Sequence, residues 1–206
     1  KSVIFVDLST GGNGTPAYSM LKLFPPKLLS HPVVTDERIK EQIQIHSSQL
    51  FLLTVDPALI NEETATGEFT TNLFKYLREG FDYIIVDTTP QSNHITYETI
   101  NISDIVIFMS TSAEHEQPVG ILGHQDFRHV INMDDQRVER SPLQNHGHYL
   151  LPRDSLTLDT FRRGGIPFCI QSPHRPISRA IARLARDIGK KQLGLVLTGG
   201  AALGLT

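Results

Sequence analysis

Tryptophan is absent from this 206-residue chain, and cysteine occurs once, as Cys169. A lone cysteine excludes an internal disulfide, so packing alone must hold the fold, and it fits a reducing compartment. Excess positive charge is missing as well: 19 Lys and Arg stand against 22 Asp and Glu, a net charge of −3. That balance excludes a nucleic-acid binder that relies on bulk electrostatics. Long apolar runs are also lacking. Tyr83 to Val86 and Ile105 to Met109 are among the longest, far short of the ~20 residues of a membrane-spanning helix. Lys1 leads directly into an apolar run with no secretory signal pattern. The N-terminus reads as a cut or processed end. A cytoplasmic location, free or peripheral to a membrane, is expected. The length suits one large domain, or one domain plus a fragment.

What is present is an alternation of apolar runs and amphipathic stretches. Val3 to Asp7, Leu50 to Asp56, Phe81 to Asp87 and Asp104 to Met109 read as buried strands. Arg128 to Asn132 is a weaker strand, Leu150 to Arg153 a short edge strand, and Ile166 to Ile170 an extended segment. Helices are expected over Pro16 to Phe24, Thr35 to Ile45, Thr66 to Glu79, Gln91 to Asn101, Glu116 to Gln125, Asp154 to Arg163 and Pro176 to Ile188. Asp134 to His148 is polar and reads as a loop. Strands apolar on both faces that alternate with helices specify a three-layer α/β fold, with a mainly parallel sheet and helices on both faces.

Two strands end in a carboxylate. Asp7 precedes a loop containing Gly11-Gly-Asn-Gly14, and Asp87 precedes Thr88-Thr-Pro90. Ligands of doubly wound sheets bind at the carboxyl ends of strands. A carboxylate there can hold Mg²⁺ beside a nucleotide phosphate, or it can cap the turn or helix that follows. The last stretch, Leu193 to Thr206, reads as a strand running into a glycine-rich turn able to present N–H groups to an anion.

Phe81-Asp-Tyr-Ile-Ile-Val-Asp-Thr-Thr-Pro90 resembles the second nucleotide motif of ParA/MinD-type ATPases, and Val3 to Leu8 resembles their Asp-ending strand. Asp104 to Ser112 and Ile166 to Ile188 resemble later strand and helix segments of that family. The resemblance implies a ParA/MinD-like fold over residues 1–188, lacking the first strand and its lysine-bearing phosphate loop. Gly11 to Gly14 carries no lysine. The second carboxylate and glutamine of the family's motif are replaced after Asp7 by Leu8, Ser9 and Thr10. Asp7 and Asp87 are then a vestigial nucleotide and Mg²⁺ site. Hydrolysis is expected to be very poor, and no cofactor is expected beyond residual ATP and Mg²⁺ binding.

Gly194 to Leu205 resembles the opening of patatin-like phospholipases, whose turn donates N–H groups to an oxyanion. Gly199, Gly200, Ala202 and Gly204 match that opening, and the resemblance makes Gly199, Gly200 and Ala201 the oxyanion-hole candidates, with Ala201 in place of the family's third glycine and Leu203 in place of its arginine. The helix Ser178 to Arg186 before it resembles the approach to the catalytic domain in the neuropathy target esterase family. That resemblance implies that residues 189–206 link to and open a patatin-like domain, whose nucleophile follows in a longer parent protein. The chain itself would then be an inactive regulatory or scaffold segment. Its partners would be that downstream domain and an upstream cyclic-nucleotide-binding domain. A strand at Leu193 to Leu197 could instead fill the slot of the missing first strand. A plain protein-interaction module is the remaining alternative.

Other residues carry less. His124, His129, His146 and His148 lack metal-ligand spacing, so no metal site is expected from them. Arg179, Arg183 and Arg186 form a basic stripe on one helix face, a solvated surface or a dock for anionic membrane. Cys169 reads as a small core residue, and no serine sits in a nucleophile elbow.

Overall fold

The computed structural model describes residues 1–9, 16–61, 67–88, 94–110, 126–134 and 148–190. The glycine loop at 11–14, the expected helix at 116–125, the polar loop beyond Asp134 and the C-terminal glycine turn lie outside the described residues. The chain is a three-layer α/β domain whose parallel strands form two sheets. Strands β1 (Val3–Leu8), β2 (Leu28–Leu29), β4 (Phe51–Val55) and β5 (Tyr83–Thr88) lie in the order β2-β4-β1-β5, all parallel. The two-residue β3 (Gln44–Ile45) pairs antiparallel with β4. A second parallel sheet holds β6 (Ile105–Ser110), β7 (Asp126–Asp134) and β8 (His148–Pro152) in chain order.

Alternation along the central strands sorts their side chains. Ile4, Val6 and Leu8 of β1 share a face with Leu53 and Val55 of β4 and with Ile84 and Val86 of β5. Helix α4 (Gly67–Gly80) covers this face with Phe69, Leu73, Phe74 and Leu77, a spacing of three and four residues that lines up one helix side. Ile39 of α2 (Asp36–Gln42), Leu59 and Ile60 of α3 (Pro57–Asn61) and Ile95 of α5 (His94–Ile102) complete the same core. The opposite face begins at α1 (Ala17–Met20), whose Ala17 is buried.

Several expectations need correction. The helix at Thr35 starts as expected, with Thr35 accepting from the Arg38 N–H, but it stops at Gln42. Ile43 turns extended so that Gln44 and Ile45 can pair with β4. Gly80 closes α4 from inside the helix. Ile166 to Ile170 is not extended throughout: α7 (Phe168–Gln171) forms because the Pro167 carbonyl accepts from the N–H groups of Ile170 and Gln171. Proline tolerates the start of a helix, where no N–H is needed. Helix α8 (Pro176–Ile188) follows, with buried Ile177 inward and exposed Arg179, Arg183 and Arg186 outward. Cys169 is half-buried, and burial pushes its thiol pKa up.

Helix α6 (Ser155–Arg163) shows how a cap is shared. The Asp154 Oδ1 accepts from the Leu156 N–H at 2.9 Å, and the Arg175 guanidinium grips both carboxylate oxygens at 2.7 and 2.9 Å. Arg175 and these bonds hold the Asp154 pKa below its ordinary value. Asp154→Ala should cost about 1 kcal/mol through the lost cap. A lowered carboxyl stabilises above its unfolded pKa and loses that contribution as pH falls through its folded pKa. Urea melts should therefore show the deficit at pH 7 and little of it near pH 2. An equal deficit at both would refute this account.

Candidate functional site

The carboxyl ends of three neighbouring strands carry one polar row. Asp7 on β1 is the register partner of Thr54 on β4 and of Asp87 on β5. In parallel strands, register partners project from the same face. The two aspartates named from sequence are thus brought side by side, although 80 positions separate them.

Their surroundings differ. Asp7 is 2% exposed and bonded by its own loop. Its Oδ1 accepts from the Ser9 N–H at 3.0 Å and from the Ser9 hydroxyl, and its Oδ2 accepts from the Ala17 N–H at 3.0 Å. Asp7 therefore caps both ends of the segment between β1 and α1, the structural role open to it from sequence. Asp87 is exposed and has no hydrogen-bond partner among the described residues. Desolvation raises its pKa above the ordinary carboxylate value, and the Asp7 charge raises it further. Two like charges in register favour a proton or a cation between them.

Thr54 adds an observation that sequence did not single out. It is 5% exposed, yet its hydroxyl has no hydrogen-bond partner among the described residues. A buried hydroxyl without a hydrogen bond is costly, and this one shares the face of Asp7. A free carboxylate, a second carboxylate with an acceptor site to spare and an orphaned hydroxyl form a hard-oxygen set that suits Mg²⁺. The glycine loop that follows Ser9 lies outside the described residues. Gly199, Gly200 and Ala201 lie outside them too.

The described residues offer no group of three or more His, Cys, Asp or Glu able to hold a metal, so the polar row holds two carboxylates and a hydroxyl and no third such residue. No described helix is long and apolar enough to cross a membrane. A buried pair, the Ser110 hydroxyl 2.6 Å from His129 Nε2, joins the end of β6 to β7. Ser110 is the last residue of β6, so the pair links the two neighbouring strands.

Comparison with known proteins bears on the fold. No curated protein sequence matches the chain. Among solved structures, the MinC:MinD cell division protein complex of Aquifex aeolicus matches with a TM-score of 0.67 at 15% identity, covering 96% of this chain and 86% of that one. The ParA family ATPase of Chlorobium tepidum gives 0.62 at 16% identity, covering 89% and 85%. Cobyrinic acid a,c-diamide synthase of Mycobacterium smegmatis, solved with a bound ATP analogue and magnesium, gives 0.52 at 16% identity, covering 96% and 87%. These likenesses place the fold with ParA and MinD. The family model described as AAA domain matches residues 1–140, and the chain belongs to that AAA-domain family, on a ParA/MinD-like fold.

Proposed function

We propose that the chain is a Mg²⁺-dependent nucleotide-binding module that works as a switch rather than as a fast hydrolase. The observation that carries this reading is the register of Asp7 with Asp87, beside the orphaned Thr54 hydroxyl. Asp87 is the residue free to hold the ion. Asp7 and Thr54 line the position next to it. Bound Mg²⁺ would supply charge neutralisation for phosphate oxygens. Asp7 already grips Ser9 and Ala17, so a ligand that draws on its carboxylate also pulls on the loop between them. That linkage is what a switch requires. No lysine stands in the glycine segment after β1, which is why weak turnover accompanies binding in this reading.

The test is a titration with a fluorescent ATP analogue, with Mg²⁺ and with EDTA. Saturable binding that EDTA weakens about tenfold supports the proposal. No binding, or binding indifferent to EDTA, overturns it.

A second reading rests on Gly194 to Leu205 and its likeness to the patatin opening. In it, residues 1–188 regulate a serine phospholipase domain that residues 189–206 introduce, and Gly199, Gly200 and Ala201 serve that domain's oxyanion. The chain alone should then resist a fluorophosphonate probe, and a protein extended past Thr206 should react.

A further inference from the structure

Acidic side chains are missing from two stretches that the fold brings together. From Pro16 to Thr35, and again from Arg163 to Arg186, the sequence holds no aspartate or glutamate, although the chain has 22. The first stretch carries two lysines and the second five arginines. They meet where α1 ends, because the Gly165 N–H donates to the Met20 carbonyl at 2.6 Å. Gly164 and Gly165 lie at φ of 64° and 103°, and a Cβ on Gly164 would fall 2.9 Å from the Met20 oxygen, so glycine is needed for this approach. Lys22 lies along the pair, its Cγ 3.3 Å from the same point. A chain of net charge −3 thus gathers cations at one junction.

The same junction exposes apolar side chains. Phe24 is 63% exposed, Ile166 48% and Ile170 58%. Phe24 meets the ring of Tyr18 on α1 edge to face, with centroids 6.0 Å apart. Ile166 follows Gly165 directly, and α7 with Ile170 is tied to it by the Gln171 Nε2, which donates to the Ile166 carbonyl at 2.6 Å. The backbone around Phe24 asks little of water. The Leu23 N–H donates to the Tyr18 carbonyl at 2.8 Å, and Pro25 and Pro26 have no N–H. Gln44 of β3 clasps the rest, donating to the Pro25 carbonyl at 3.0 Å and accepting from the Lys27 N–H at 3.1 Å. No N–H is left to satisfy at Leu23, Pro25, Pro26 or Lys27, so this tip can enter a region poor in water at small cost. It is also held in place before it docks, which keeps the ordering entropy low.

We propose that this junction, the end of α1 with the turn between α6 and α7, docks the protein on an anionic phospholipid surface. Phe24, Ile166 and Ile170 enter the boundary between headgroups and acyl chains, and Lys22 and Arg163 meet the lipid phosphates. Exposed apolar residues beside cations, with no acid in either stretch, are the composition that such a surface selects. The exposed arginines of α8 add attraction over the reach of the Debye length. Helix α8 itself does not insert, since its apolar side faces the protein, with Ile177 buried. A nucleic acid would use the cations and gain nothing from Ile166 and Ile170. The docking does not depend on the nucleotide reading.

Vesicle binding by the 206-residue chain, without nucleotide or Mg²⁺, tests it. The chain has no tryptophan, so Phe24→Trp places a single fluorophore at the tip. Tyr97→Trp is the control, on an exposed ring of α5, which packs on the other face of the sheet. With vesicles of phosphatidylcholine and phosphatidylserine, emission from Phe24→Trp should move to the blue and be quenched by brominated acyl chains, while Tyr97→Trp stays unchanged. Vesicles of phosphatidylcholine alone should move neither. In co-sedimentation with the mixed vesicles, Ile170→Ser should weaken binding about tenfold, and Lys22→Gln combined with Arg163→Gln by at least as much. All of these side chains are exposed, and the Phe24→Trp reporter keeps the apolar tip, so it decides the matter alone should another variant fail to fold. No binding, equal binding to pure phosphatidylcholine, or an equal response from Tyr97→Trp overturns the proposal. So does tighter binding to duplex DNA or to polyglutamate than to the mixed vesicles. The ATP-analogue titration reads the other question, so either idea can fail alone.

Discussion

Asp87→Asn should make the protein more stable at neutral pH and, in the same stroke, blind to Mg²⁺. Asp87 faces Asp7 in register and is held above its ordinary pKa by desolvation and by that charge. A carboxyl raised in this way binds its proton more tightly folded than unfolded. Its favourable contribution is complete below the unfolded value of about 4 and disappears as pH rises through the folded pKa. The charged form is therefore a cost at pH 7, and asparagine removes it. Solvent screens an exposed carboxylate, so the gain is modest, about 0.5 kcal/mol. At pH 3 both variants are neutral at this position and should melt alike. Mg²⁺ reverses the order at pH 7. A ligand that binds only the folded state stabilises it by mass action, and that gain belongs to the chain that keeps Asp87. Loss of the charge should weaken Mg²⁺-dependent ATP-analogue binding at least about tenfold, or ~1.4 kcal/mol. Thermal melts at pH 3 and pH 7, with and without Mg²⁺, read all of this. A variant less stable at pH 7, with an undiminished Mg²⁺ response, would remove Asp87 from the site.

The carboxylates themselves were legible in the sequence, because a charged residue closing an apolar run has few structural uses. Their adjacency was not. It depends on β1 choosing β5 as its neighbour across the intervening β4 and α4, and periodicity does not encode pairing order. Thr54 was hidden for a different reason. A β-branched residue inside Phe51 to Val55 looks like ordinary strand, and only burial without a partner marks it. The main strands and α4, α6 and α8 were readable from their apolar spacing. Strands β2 and β3 have two residues each, too few to show a period, and α3 is a single turn and a half after Pro57. The division into two sheets left no trace, since β5 and β6 are as apolar in sequence as the strands that are fully paired.

Leu73→Ala should cost more than any substitution at the polar row. Leu73 is fully buried, midway along α4, with Phe69 and Leu77 one turn away on either side. It belongs to the cluster that includes Ile4 and Val6 of the central strand β1. Truncation there removes apolar area from the one layer that joins β1, β4 and β5, and rigid strands beneath cannot collapse to fill the space. Large-to-small changes at such positions cost ~2–5 kcal/mol, the cavity adding to the lost transfer energy. A domain of this kind has only ~5–15 kcal/mol in total, so about a third of its stability is at stake. The helix itself loses nothing, because alanine is the better helix former. The whole effect therefore reports packing. Leu156→Ala provides the contrast: its side chain is exposed on α6, and the expected change is within about 0.5 kcal/mol. Urea denaturation should show a lower midpoint for Leu73→Ala with an unchanged slope. A loss below about 1 kcal/mol would mean that α4 does not seat on β1 as described. In that event the strand order that brings Asp7 to Asp87 would have to be redrawn, because α4 is the connection that carries the chain from β4 over β1 to β5.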